Sequence, residues 1–244
     1  MDAKGNKVGE ATKYTDDLIT DKKDGTLEYK VPSYDVTSYN QFAVEVYADE
    51  NPILRSIGYL NPNEKSGEKQ VEITPQTTAA ALLYDSWNTD SNARTYQQFD
   101  YNLDKAAVDM NKVASEVEKV VTDIYNGVAN ASLDDVKTSA TLTTELAKID
   151  KDAVYNVSGY VYAAEGSGQT DCWVYVYSDE AMTQMVDHAQ TTSGNYNIVL
   201  PDGTYYFKPS QVNHTYTPAS TKVTVNGAEV GGINFQAASS SSQA

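Results

Sequence analysis

Apolar side chains recur along this chain with two periods, and the period switches twice. From Thr20 to Pro32 a turn is followed by alternation through Leu27, Tyr29 and Val31. Phe42, Val44 and Val46 alternate with Ala43, Glu45 and Tyr47, a second run covers Ile53 to Leu60, and Val71 and Ile73 end the region. A period of two marks half-buried strands. Asn61 to Gly67 reads as a turn by composition. At Thr74-Pro75 the pattern changes to helix, with a capping side chain before a proline at the first helical position. Ala79 to Leu83 continue that helix, and a polar loop spans Asn88 to Asn92. A long helix is predicted over about 103 to 126, because Leu103, Met110, Val117 and Ile124 share a stripe with Ala106, Val113 and Val120. Gly127 suits its C-terminal cap, and a third helix is predicted from the capping residues at Ser132 to about Ile149. A stripe of this length is read as packing against flanking helices and a sheet, with a coiled-coil seam as the other use.

Alternation returns at Ala153. Val157, Gly159, Val161 and Ala163 are followed by Cys172, Val174 and Val176, then by the pairs Tyr196/Ile198, Tyr205/Phe207, Val223/Val225 and Ile233/Phe235. Turn residues separate them at Glu165 to Gln169, Pro201-Asp202-Gly203, Asn226-Gly227 and Gly231-Gly232. Short strands so spaced predict a β-sandwich. Thr191 to Pro201 repeats the turn-then-strand pattern of Thr20 to Pro32, which suggests a duplicated β unit. The expected organisation is mainly β with an α-helical middle. Two prealbumin-like or Ig-like β-sandwiches, at 1–73 and 152–237, flank a three-helix segment at 74–151, and a polar tail covers 238–244.

Composition narrows the function classes. A net charge of −16 argues against nucleic acid and anionic lipid, which require a basic footprint, and fits an exposed, soluble protein. No apolar run is long enough for a transmembrane helix, and Met1 to Gly5 is not a signal peptide. The single Cys172 excludes an internal disulfide. Tyrosine is the oddity: there are 19 Tyr and 4 Phe, and tyrosine suits wet sheet faces and interfaces better than deep cores.

Several motifs in order resemble a carboxypeptidase regulatory-like domain, the prealbumin-like β-sandwich of bacterial surface and secreted proteins. They are Val157 to Val161, the Thr192 to Tyr196 turn, Leu200 to Tyr205, Tyr216 to Ser220, Val223 to Gly227 and Gly232 to Phe235. The resemblance covers about 153–237. Residues 1–73 resemble the same family through Asp2 to Val8 and Thr20 to Pro32, without its first strand. It implies an extracellular or cell-surface, non-catalytic module used for spacing, adhesion or assembly. A sandwich lacking its first strand would have an unpaired edge that a neighbouring copy or the acidic N-terminal arm could fill. Related collagen-adhesin B-type domains carry a Lys–Asn crosslink; Asn234 is present here, but Asn156 to Ala163 contains no Lys, and no crosslink is expected.

Candidate chemistry is sparse. His188 and His214 are read as separate loop histidines without metal-ligand spacing, and no nucleophile elbow occurs. The chain is therefore expected not to be an enzyme and to need no cofactor. Asp16, Asp21 and Asp24 are weak Ca²⁺ candidates that also suit turns. Asn130, Asn156 and Asn213 match the N-glycosylation pattern. The strongest candidate is aromatic. With Val157, Val161, Val174 and Val176 facing the core, Tyr160, Tyr162, Trp173, Tyr175, Tyr177 and Tyr206 are placed on one outer face. Such a face fits cover by the helical segment or first domain, a subunit interface, or a carbohydrate platform. The expected function is an extracellular structural or adhesive protein that self-associates or binds a protein partner. The alternatives are a glycan-binding module and an accessory fragment of a larger secreted enzyme.

Overall fold

The computed structural model describes residues 19–24, 26–29, 41–59, 70–89, 94–169 and 171–239. The expected start at 2–8, the turn at 61–67, Asp16 and the tail at 240–244 lie outside them. Two antiparallel hairpins come first: β1 (Ile19–Asp21) with β2 (Leu27–Tyr29), and β3 (Phe42–Ala48) with β4 (Asn51–Gly58). Five helices follow: α1 (Pro75–Trp87), α2 (Tyr96–Lys105), α3 (Met110–Tyr125), α4 (Asp134–Lys137) and α5 (Ala140–Leu146). The remaining strands are β5 (Val154–Tyr162), β6 (Trp173–Tyr177), β7 (Met185–Gln190), β8 (Asn195–Pro201), β9 (Gly203–Ser210), β10 (His214–Thr217), β11 (Thr221–Val225) and β12 (Phe235–Ser239).

The N-terminal half differs from the expected sandwich. Its described strands form two separate two-stranded hairpins, and β4 turns Ile53 and Ile57 inward, Ile57 into the core built by the helices. The reason lies in α1, which is apolar on nearly all sides and so must be surrounded. Ala79, Ala81, Leu82 and Leu83 are buried between β4 and α3. The joint is also polar: Arg55 N donates to Thr78 Oγ1 at 2.8 Å, and the Thr77 and Thr78 hydroxyls donate back to Arg55 O. Thr74 and Thr77 close a reciprocal cap at the start of α1, as the Thr-Pro pair predicts.

Five helices replace the expected three because two predicted helices are each broken by a local cap. Between α2 and α3 the backbone is extended at Ala106, and the Asp109 carboxylate accepts Lys112 N to start α3. The seven-residue stripe survives the break because Leu103 and Met110 face the same core as Val113 and Val117. The second break falls at Ser139, whose hydroxyl accepts Leu142 N and starts α5. Gly127, at φ +71°, ends α3 as predicted, with Gly127 N donating to Ile124 O and Val128 N to Asp123 O.

The C-terminal half is a sandwich of two four-stranded sheets, ordered β10-β12-β5-β8 and β11-β9-β6-β7. Val157 and Val161 of one sheet meet Val174, Val176 and Phe207 of the other, all fully buried, which matches the predicted inward phase. Two strands, β7 and β10, were not predicted. Strand β7 (Met-Val-Asp-His-Ala-Gln) has no alternation to read, because residues on both of its faces are buried. The expected turn before β8 is present, with Gly194 at φ +84°, where a side chain is strained, while Gly25 of the matching N-terminal turn lies outside the described residues.

Candidate functional site

The expected single aromatic face is two faces. Strands β5 and β6 belong to different sheets, so the same outward phase points their side chains to opposite sides of the sandwich. Tyr160 and Tyr162, on β5, lie with ring centroids 4.6 Å apart, and Tyr162 is 38% exposed. Tyr160 lies against the turns at Gly168 and Gly194, where a Cβ would meet its hydroxyl at the first and its ring at the second. On the other side Trp173, Tyr175 and Tyr177 of β6 share a face with Tyr206 of β9, which pairs with Tyr177. Trp173 and Tyr175 stack with planes 6° apart and are 4% and 2% exposed, so this part of the face is covered. Tyr177 and Tyr206 are half-buried.

At this covered face the helical half meets the sandwich through a buried polar seam. His188, placed in a loop by the sequence reading, instead lies in β7 and is 1% exposed; it pairs across the ladder with Tyr175. Its ring lies 5.2 Å from Trp173 and 6.1 Å from Tyr59 at the end of β4. His188 Nδ1 meets Gln97 Oε1 of α2. Beside it, Thr95 caps α2 by accepting Gln98 N at 3.2 Å and donates its hydroxyl proton to Asp187 Oδ1 at 2.8 Å. Gln98 Nε2 donates to Val199 O of β8. The first turn of α2 thus bridges β7 and β8, the two edge strands on one side of the sandwich. Edge strands expose unpaired backbone groups, and Gln98 satisfies one of them, Val199 O of β8.

The seam continues into the helical core. Gln41 Oε1 accepts Tyr96 N, and its amide donates to Tyr84 Oη at 2.9 Å, which donates in turn to Arg94 O at 2.7 Å. Arg94 lies over the Trp87 ring at 4.9 Å and donates to Asp152 O, while Trp87 Nε1 donates to Asp150 O. Both bonds anchor the link that leads into β5. Burial pushes the Asp187 carboxyl up to about 7, against the opposing pull of the bonds from His188 N and Thr95. Burial, followed by the nearby Asp104 charge, also raises Asp100, whose carboxylate accepts the Tyr59 hydroxyl at 3.2 Å.

The other sequence candidates are placed apart. His214 begins β10 and is half-buried, with Nδ1 2.9 Å from Val212 O. The Asp21 and Asp24 carboxylates serve their own turns, accepting Lys23 N at 2.8 Å and Thr26 N at 2.9 Å. Asn234 precedes β12 and accepts Tyr160 N through its side chain. Asn130, Asn156 and Asn213 are exposed. Thr95, Gln97, Gln41, Arg94 and Asp187 were not singled out from sequence. The nearest signal was the Thr-Tyr-Gln-Gln run at 95–98, which reads as a helix cap only once a helix is placed there.

No family model and no curated protein matches this chain. Solved structures do match in part. One is 3-chlorocatechol 1,2-dioxygenase from Rhodococcus opacus, with 7% identity, TM-score 0.29, and 37% of this chain and 61% of that one covered. Another is a streptococcal ancillary pilin, with 14% identity, TM-score 0.28, and 36% and 34% covered. A third is the pilus-presented adhesin Cpa, with 8% identity, TM-score 0.21, and 61% and 58% covered. The chain thus spans between about a third and three fifths of the length of these proteins. This chain is mainly β, with five helices among its described residues. The expectation that the chain is not an enzyme is corrected by these matches: catechol dioxygenases are among the proteins it resembles in fold. No helix among the described residues is long and apolar enough to cross a membrane.

Proposed function

We propose that this chain is a structural or adhesive module of a cell-surface or secreted assembly, in which the helical half and the sandwich work as one jointed unit. The observation that carries this reading is the seam. Its buried rings and polar groups bind the two halves to each other, with α2 held to β7 through Asp187 and His188 and to β8 through Val199 O. The opposite ends of the two sheets, β10 and β11, are the edges left for contacts with other chains among the described residues. The high negative charge keeps such a displayed protein soluble. A sugar platform would need open rings, and the rings best suited to stacking, Trp173 and Tyr175, lie inside the seam. Antibody labelling of intact source cells and of their medium tests the reading. Label on unpermeabilised cells or in the medium is expected; label that appears only after lysis would overturn it.

A further inference from the structure

The first and last strands of the sandwich, β5 and β12, are parallel neighbours, and the chain enters at one end of the pair and leaves at the other. Pairing begins before β12 itself. Val230 bridges Val157 in parallel: Val230 N donates to Asn156 O, and Ser158 N donates to Val230 O, both at 2.9 Å. Ile233 N then donates to Ser158 O at 3.2 Å, and Phe235 and Gln236 pair with Val161 and Tyr162. The final side chain reaches furthest, Gln236 Nε2 donating to Ala163 O at 2.8 Å.

One residue too many lies on the C-terminal side between these two pairings, and the chain accommodates it at two positions. Gly159 has no Cβ, where one would come within 1.8 Å of Ile233 O. Asn234 replaces the interrupted ladder with its side chain, Oδ1 accepting Tyr160 N at 2.9 Å. The bonds between the two segments therefore run from Asn156 to Ala163 with the bulge bridged.

We infer that this pair is a shear clamp that makes the sandwich resist tension along the chain. Tension between the entry to β5 and the exit from β12 acts along both strands in opposite directions. The crossing hydrogen bonds lie across that tension, so they share it and must break together. Pulled from one end only, the same bonds would break one after another. Because forced unfolding is governed by the unfolding barrier, simultaneous loading raises the rupture force. The inference deepens the surface-module reading only in its biological use, since the mechanical property belongs to the isolated chain and can fail or hold independently of where the protein resides.

Single-molecule force spectroscopy on the full chain tests it. Cysteine handles at Ala153→Cys and Ala238→Cys load the pair in shear; handles at Ala153→Cys and Ala228→Cys unzip it. All three alanines are exposed, and the native Cys172 is buried. A shear rupture force several-fold above the unzipping force at equal loading rate is expected, releasing about 30 nm of chain in the shear geometry at roughly 3.4 Å per residue. Equal forces in the two geometries would overturn the clamp. Asn234→Ala is expected to lower the shear force, and Asn234→Asp, which keeps the acceptor, to restore it. An unchanged shear force in Asn234→Ala would also overturn it.

Discussion

Replacing Asp187 with asparagine tests the buried seam through its pH dependence. The carboxyl rises from an ordinary 3.8 to about 7 in the folded chain, chiefly because burial disfavours its charge. A raised carboxyl pKa means that folding favours the protonated acid. Its stabilising effect is therefore complete below about pH 4, and is lost as pH rises through about 7. Three units at about 1.4 kcal/mol each set an upper cost of about 4 kcal/mol for holding the ionised group. Local relaxation and water entry reduce this, so about 2–4 kcal/mol is expected. Asparagine keeps an oxygen for Thr95 and for His188 N but cannot ionise. Asp187→Asn should be more stable than the parent by about 2–4 kcal/mol near pH 8 in urea unfolding. Near pH 4 the difference should vanish or reverse by about 1 kcal/mol, since the amide adds a donor to a closed site. Comparing the two proteins at each pH removes most of the contribution from the other carboxylates. A variant equally destabilised at both pH values would refute the reasoning, because it would show an ionised Asp187 held by charge-assisted bonds.

Thr95→Ala removes both the α2 cap and the Asp187 partner, and should cost about 1–2 kcal/mol in urea unfolding; a double-mutant cycle with Asp187→Ala, which removes the acceptor, at about pH 5 should show coupling of about 1 kcal/mol, and strict additivity would separate the two groups. Trp173→Ala should cost about 3–5 kcal/mol, and amide exchange should quicken in α2 and β7 before β9 and β11 if the ring belongs to the seam. Gly194→Ala should cost about 1–3 kcal/mol, since a side chain there is strained at φ +84° and its Cβ would lie 2.8 Å from Val161 O; an unchanged melting temperature would show that the turn relaxes freely.

The sequence alone determined what depends on near neighbours. The period of two placed Val157, Val161, Val174 and Val176 inward because a strand alternates its side chains whatever sheet it joins. Thr74-Pro75 and Gly127 marked helix ends because caps and left-handed turns act within a few residues. Long-range pairing decided the rest. Whether Tyr160 and Trp173 share a face depends on which sheet each strand enters, and alternation carries no information about that. The helix breaks at Ala106 and Ser139 hid under an apolar stripe that runs on because successive helices face one core. Strand β7 had no readable period because α2 and the strands around it bury both its faces, and that same burial put His188, an apparent loop residue, and Asp187, which no pattern marked, at the centre of the seam. The parallel joining of β12 to β5 rests on segments about 75 residues apart, so only the folded chain brings Asn234 to Tyr160.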